Sequence, residues 1–200
     1  MATSLGWRVL DSGAVYRSVA AAALDRGLEP DDEPGLVNLC GNLDLSFSAG
    51  LDGIAVCLDG QPVDEKLRTE EVSSMSSKVA ALPAVRSALL DLQRDFRRSP
   101  GLVADGRDMG TVVFPDATIK VFLDASVEER ANRRYKQLKE KGENVKFLRL
   151  FRDIEARDRR DRERAVSPTV AADDAVVIDS TSLTLEQVVE NVLSEVRRRI

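Results

Sequence analysis

Short apolar runs that end in aspartate alternate in this chain with longer stretches whose apolar positions recur every three or four residues, and the two periods separate strands from helices. Leu102-Val103-Ala104, Ile119 to Leu123 and Ala175 to Ile178 are such runs, with helical stretches between or after them, the pattern of a parallel α/β sheet. Val9-Leu10 reads as the end of a further strand. Asp11-Ser12 then caps an Ala-rich helix, Ala14 to Arg26, that stops at Gly27. Asp105, Asp124 and Asp179 follow the three runs at the carboxyl ends of strands, where open α/β sheets place ligands. Aspartate also suits capping of a following helix, and for Asp124 and Asp179 both roles stay open.

The period changes between Leu43 and Val63. Short runs, LDLSF, GIAVCL and QPVD, are separated by Ala49-Gly50, Asp52-Gly53 and Asp59-Gly60, the turn signals of a small antiparallel meander inserted in the α/β pattern. Thr69 to Leu82 and Ala84 to Arg98 read as two helices broken at Pro83, because proline drives the preceding residue out of helical geometry. Ser99-Pro100-Gly101 ends the pair. Further helices are predicted over Ser126 to Lys141, Phe147 to Arg164 and Leu185 to Arg199. No internal repeat or low-complexity linker interrupts the series.

With 200 residues, 43% hydrophobic and 32% charged, the chain can bury one core and carry a small subdomain. A net charge of −5 argues against a general nucleic-acid binder. The absence of histidine excludes Ser-His-Asp and Cys-His nucleophilic sites and histidine-ligated metals. Cys40 and Cys57 form no CxxC pair, which fits a reducing compartment and the cytoplasm. Arg8, Asp11 and Arg17 interrupt the apolar N-terminal residues, so no signal peptide or membrane span is expected. Chemistry is left to arginine, lysine and carboxylates.

Three constellations could carry it. From Phe147 to Arg164 the apolar stripe Phe147, Leu150, Phe151 and Ile154 continues as Arg157, Arg160, Asp161 and Arg164, so a packing face turns cationic. Buried guanidiniums require an anion, and a phosphate ester would satisfy them. A solvated helix held by the pairs Asp153 with Arg157, Glu155 with Arg159 and Asp158 with Arg162 explains the same residues. The second constellation is Asp105-Gly106-Arg107-Asp108, where two carboxylates around an arginine suit a cation and a phosphate together, and where a tight turn with internal ion pairs is the competing reading. Residues 101 to 108 imitate the spacing of a phosphate-binding loop, but Arg107-Asp108 stands where Lys-Ser/Thr is needed. The third is Asp11 to Arg17, a helix N-terminus whose N–H groups could meet an anion, or an ordinary capped helix with a surface arginine.

Taken in order, DSGAVYR, KVAALPAVRSALL, GLVADGRDMGTVVFPDATIKVFLDAS, RDRRDRERAVSP and DSTSLTLEQVV resemble the bacterial cytidylate kinase family along residues 1 to 200. The resemblance implies a fold of the P-loop nucleoside monophosphate kinase type, a parallel sheet with helices on both faces. Residues 1–28 and 99–200 would form the core, with a helical lid at about 133–166. Residues 29–98 would form the monophosphate-binding region, with its antiparallel β insertion at about 43–64. The implied reaction transfers the ATP γ-phosphoryl group to CMP or dCMP, with Mg²⁺ accompanying ATP; the P-loop hydroxyl that would bind the cation is missing here, and no residue of this chain is assigned as a metal ligand.

Carried over residue by residue, the resemblance implies that Ser77, Arg86 and Asp108 read the cytosine edge. Ser12, Arg17, Arg107 and Arg164 would hold the monophosphate, and Arg157 and Asp161 would approach the sugar. Arg133, Arg134 and Arg160 would belong to the lid that closes over ATP. Arg107, Arg160 and Arg164 would neutralise charge in the transfer itself, which is mostly positioning and electrostatics. A monomer acting on nucleotides, with no nucleic acid or membrane partner, is expected.

One departure accompanies the match. The family opens with a strand and a GPxGxGKxT-like loop, whereas this chain opens on the helix after it, as an N-terminally truncated sequence or one with a misplaced start would. On that reading ATP affinity and rate are expected to fall and the core to open, and a non-catalytic CMP-binding module becomes the alternative. A nucleic-acid contact through the arginine-rich helix is a weaker third reading, since acidic residues interrupt its basic face.

Overall fold

The fold is seen in a computed structural model that describes residues 1–50, 53–140, 142–163 and 165–200. A single helical turn, α1 (Ala2–Leu5), ends where Gly6 adopts φ 64°, and the chain enters strand β1 (Arg8–Asp11) with Val9 and Leu10 buried. Asp11 accepts a hydrogen bond from the Ala14 N–H and so caps α2 (Ser12–Asp25), whose Ala14, Val15, Val19, Ala20, Ala21 and Ala23 are buried. Alanine suits this helix because it packs against neighbours along most of its length.

Helix α3 (Glu33–Cys40) has no counterpart among the predicted elements; Pro34 falls in its first turn and Asp32 caps it by accepting from Gly35 N–H at 3.0 Å. The predicted meander forms as β2 (Leu45–Gly50), β3 (Gly53–Leu58) and β4 (Gln61–Pro62), a three-stranded antiparallel sheet. Ala49-Gly50, expected as a turn, instead extends β2, with Ala49 opposite Ile54. Asp59 and Gly60 make the turn they signal, both at positive φ (51° and 75°), as a two-residue hairpin requires. Asp52, of the remaining signal, lies outside the described residues.

A short turn α4 (Asp64–Leu67) leads to α5 (Glu70–Val79), which packs along α2, and α6 (Pro83–Arg94), which packs on α3. Both end several residues before their predicted limits, while Pro83 starts α6 as its missing N–H allows. Strand β5 (Leu102–Asp105) then runs parallel to β1 with Asp11 opposite Asp105. These elements make one compact unit, Met1–Met109.

The second unit is Gly110–Ile200, and a π-helical turn over Met109–Val113 spans the boundary. It holds β6 (Val121–Asp124), α7 (Val127–Glu140), α8 (Phe147–Glu163), β7 (Val176–Asp179) and α9 (Leu185–Arg199). Strands β6 and β7 pair in parallel with Asp124 opposite Asp179. The two carboxylates hold strand-end turns, Asp124 accepting from Ala125 N–H and Asp179 from Thr181 N–H and Oγ1–H, all within 2.9 Å. Helix capping falls instead to Ser126, which accepts from Glu129 N–H, and to Thr184, which forms a reciprocal box with Gln187. Lys141 and Arg164, the predicted last residues of α7 and α8, lie outside the described residues. The chain is thus a mixed α/β protein with two parallel strand pairs and one antiparallel sheet. Among the described residues no helix is long and apolar enough to cross a membrane.

Candidate active site

In the first unit, the carboxyl ends of β1 and β5 meet the start of α2. Asp11 does two things there: Oδ1 accepts from Ala14 N–H at 2.8 Å, and Oδ2 accepts from Arg17 Nη2 at 2.9 Å. The Arg17 guanidinium is thereby folded back over the first turn of its own helix. A Cβ on Gly13 would lie 3.0 Å from Arg17 Nη1 and 3.1 Å from Asp11 Oδ1, so a side chain at that position would crowd the ion pair. Gly106 has the same function on the β5 side, since a Cβ there would come within 2.8 Å of Ser12 Cβ.

Ser12 is only 3% exposed and donates its hydroxyl to Gln93 Oε1 at 2.6 Å. Gln93, 2% exposed on α6, donates in turn to the Leu89 carbonyl at 3.2 Å. Two turns earlier on α6, Arg86 makes an ion pair with Asp108 in which the side chains are 8% and 5% exposed. Arg86 Nη1 also donates to the Ala80 carbonyl at 3.1 Å, and the guanidinium lies 5.5 Å from the centre of the Tyr16 ring. Its Nε–H is buried without an acceptor among the described residues. A buried guanidinium is tolerated only when paired, so Asp108 fixes Arg86 and Arg86 fixes Asp108.

Asp105 retains a water-facing surface; partial burial first, then the Asp11 carboxylate, raises its pKa, while Arg107 and Arg17 pull it down. Arg107 is exposed beside it, and Ser77 is half-buried on α5. Ser12, Arg17, Arg86 and Asp108 are therefore gathered around the first two turns of α2 through Asp11, Gln93 and Tyr16, and Arg107 is adjacent in sequence to Asp108.

The second unit holds the remaining sequence-predicted residues. The stripe of α8 is half-buried against α7, where the Phe147 ring stands 6.2 Å from Tyr135 and 6.3 Å from Phe151. Of the two readings of its cationic continuation, the solvated helix is the one seen at Arg157 and Arg160, which are exposed. Arg157 lies 3.9 Å from Asp161, whose carbonyl accepts from Thr169 N–H at 2.8 Å. Asp158, expected to pair with Arg162 along the helix, reaches across to α7 and takes both Nη groups of Arg130. That pairing is the chief reason the Arg130 pKa is raised.

Arg134 is exposed, whereas Arg133 donates to Glu129 at 2.8 Å and to the Ser180 carbonyl at 2.5 Å, tying α7 to the end of β7. Arg164 lies outside the described residues.

Sequence reasoning passed over Tyr16 and Gln93, and gave Asp11 as a helix cap but not as the partner of Arg17. Gln93 did leave a signal. Val85, Leu89 and Gln93 are spaced i, i+4, i+8 on the buried stripe of α6, and a polar residue in a core position is the informative kind. Tyr16 and Asp11 lie within the DSGAVYR run but carry no spacing that distinguishes them from a capped helix.

A family model described as cytidylate kinase matches residues 1–198. Among curated proteins, a cytidylate kinase of Aeromonas salmonicida is 55% identical over 200 residues, covering all of this chain and 87% of its own length. That of Klebsiella pneumoniae is 54% identical over 200 residues, again covering all of this chain and 88% of its own length. That of Methylococcus capsulatus is 56% identical over 197 residues, covering 98% of this chain and 88% of its own length.

Proposed function

Since this chain belongs to the cytidylate kinase family, we propose that it transfers the γ-phosphoryl group of ATP to CMP or dCMP, giving CDP or dCDP. The reading carries with it a fold of the P-loop nucleoside monophosphate kinase type, with residues 29–98 as the monophosphate-binding region and about 133–166 as a lid. A cytoplasmic monomer is part of the same reading.

The observation that carries it is the buried Arg86–Asp108 pair. Two ionised side chains held 8% and 5% exposed, with an Arg86 N–H left without an acceptor, are a fixed donor and acceptor set. Cytosine presents an amino donor beside ring acceptors, and uracil inverts that pattern. Asp108 would accept from the amino group and Arg86 would donate to the ring, with Ser77 completing the edge. Uracil would set a carbonyl against Asp108 and an N–H against Arg86, a mismatch of buried polar groups of the kind by which rejection by a factor of about 10⁴ becomes attainable.

Arg17 and Arg107 would hold the monophosphate together with the first turn of α2. Arg17 would exchange Asp11 for the phosphate, whose greater charge makes it the stronger partner. Arg157 and Asp161 would approach the sugar. Arg164 would join Arg17 and Arg107 on the monophosphate, Arg133, Arg134 and Arg160 would serve the ATP side, and Arg107, Arg160 and Arg164 would neutralise charge at the transferring group.

Mg²⁺ supplies charge neutralisation on the ATP phosphates when bound. Among the described residues no three carboxylates or thiols come together as a metal cage. Asp105, its pKa raised by burial and by Asp11, is the carboxylate that a nearby cation would relieve.

The test is ADP release in a coupled assay with CMP, dCMP and UMP. Turnover with both cytidine nucleotides and at least about a hundredfold lower kcat/KM with UMP is expected. Equal use of UMP would overturn the assignment of Arg86 and Asp108. CMP binding without turnover would leave a binding module in place of a kinase.

A further inference from the structure

The Ser12 hydroxyl has one proton, and the structure shows where it goes. Gln93 donates through Nε2 to the Leu89 carbonyl at 3.2 Å, which can only accept, so Oε1 is the atom facing Ser12. An amide oxygen cannot donate, so Ser12 must, and its Oγ lies 2.6 Å away. Both side chains are at least 97% buried. The bond therefore ties the first residue of α2 to α6, two elements 81 residues apart in sequence.

We propose that Gln93 is a positioning residue of the CMP site. It consumes the Ser12 proton and locks the first turn of α2, so that Ser12 meets the substrate phosphate with its backbone N–H and not with its hydroxyl. This rests on the reading of Ser12 and Arg17 as phosphate contacts. A phosphate dianion is itself an acceptor and gains nothing from a hydroxyl whose proton is engaged elsewhere, whereas an N–H at the start of a helix is oriented toward it. Gly106, where a Cβ would come within 2.8 Å of Ser12 Cβ, and Gly13, where one would crowd Arg17 and Asp11, keep the backbone of this turn open to close approach. Because Ser12 and Gln93 act through a single bond, removing either one unlocks the same turn.

The experiment is a double-mutant cycle on CMP affinity, measured by calorimetry on the full chain, with Ser12→Ala, Gln93→Met and the double variant, and with Arg17→Ala as a reference. Cytidine, which has no phosphate, is the control ligand, measured by competition.

Each single variant is expected to weaken CMP by roughly fivefold to tenfold, the equivalent of one net hydrogen bond. The double variant should be no weaker than the singles, and cytidine affinity should be unmoved. Gln93→Glu, which keeps an acceptor for Ser12 and, when protonated, a donor for Leu89, should retain CMP affinity better than Gln93→Met. It also supplies the measurement if Gln93→Met does not fold.

Additive losses in the double variant, or equal losses of CMP and cytidine, would overturn the proposal and reduce Gln93 to a structural residue. Loss of CMP in Arg17→Ala with no effect of Gln93→Met would also overturn it while leaving the CMP site intact. If neither Arg17→Ala nor Ser12→Ala changes CMP affinity, the CMP-site reading itself fails.

Discussion

Arg86 and Asp108 show how one pair can serve folding and recognition with different energetics. Each is buried, so removing one partner strands the other charge in a poorly solvated place, a loss of roughly 3–5 kcal/mol. Replacing both with apolar residues of similar volume removes the stranded charge. Arg86→Met alone and Asp108→Leu alone should therefore each lower the urea midpoint strongly, while Arg86→Met/Asp108→Leu recovers most of the loss. The recovered protein should nevertheless have lost its preference for CMP over UMP in kcat/KM. A double variant that stayed as unstable as the singles would mean that Tyr16 and the Ala80 carbonyl, not the pairing, dominate the energetics of Arg86. Retained preference in that variant would remove both residues from base recognition.

At the scale of elements, legibility followed the strength of the local signal. Helix α9 is read from sequence at its observed limits because Thr184 and Gln187 announce its start and its apolar residues keep one face, with Val192, Leu193 and Val196 buried. Strand ends were legible through Asp105, Asp124 and Asp179, but what those carboxylates do was not, since an aspartate that holds a turn and one that caps a helix have the same sequence context. Helix α3 was hidden by Pro34 and Gly35, whose positions in a first turn only the structure reveals. In the candidate site, the Asp11 to Arg17 and Asp105 to Asp108 segments were legible from their own residues and Arg86 only from the family pattern, while Gln93 and Tyr16 act through tertiary contacts across 81 and 70 residues that no local window contains. The α9 capping box gives a direct test. Thr184→Ala should destabilise the chain by about 1 kcal/mol in urea unfolding followed by far-UV circular dichroism, and Thr184→Ser should be close to neutral. Equal losses from the two variants would mean that the Thr184 methyl group, not its oxygen, matters.

For the whole molecule, the two units differ in how completely they bury their side chains. Leu10, Val15, Val19, Leu36, Leu39, Val79, Val85 and Leu89 are essentially inaccessible, and all belong to Met1–Met109. In Gly110–Ile200 the parallel pair carries Leu123 at 54% exposed and Val177 at 62%, and no residue of α8 is fully buried. Local opening free energy follows buried apolar contact, so the second unit should open more readily than the first. Hydrogen exchange read by mass spectrometry should find the slowest amides in α2 and α6 and faster exchange throughout α8 and β7. The Arg130–Asp158 clamp should make α7 and α8 exchange together, and Asp158→Asn should speed exchange in both without altering α2. Kinase chemistry of this type needs a part that moves over ATP and a part that holds the monophosphate still. If α2 and α8 instead exchanged at one common rate, the chain would open as a single cooperative unit, and the proposed lid would have to move as a rigid body without local unfolding.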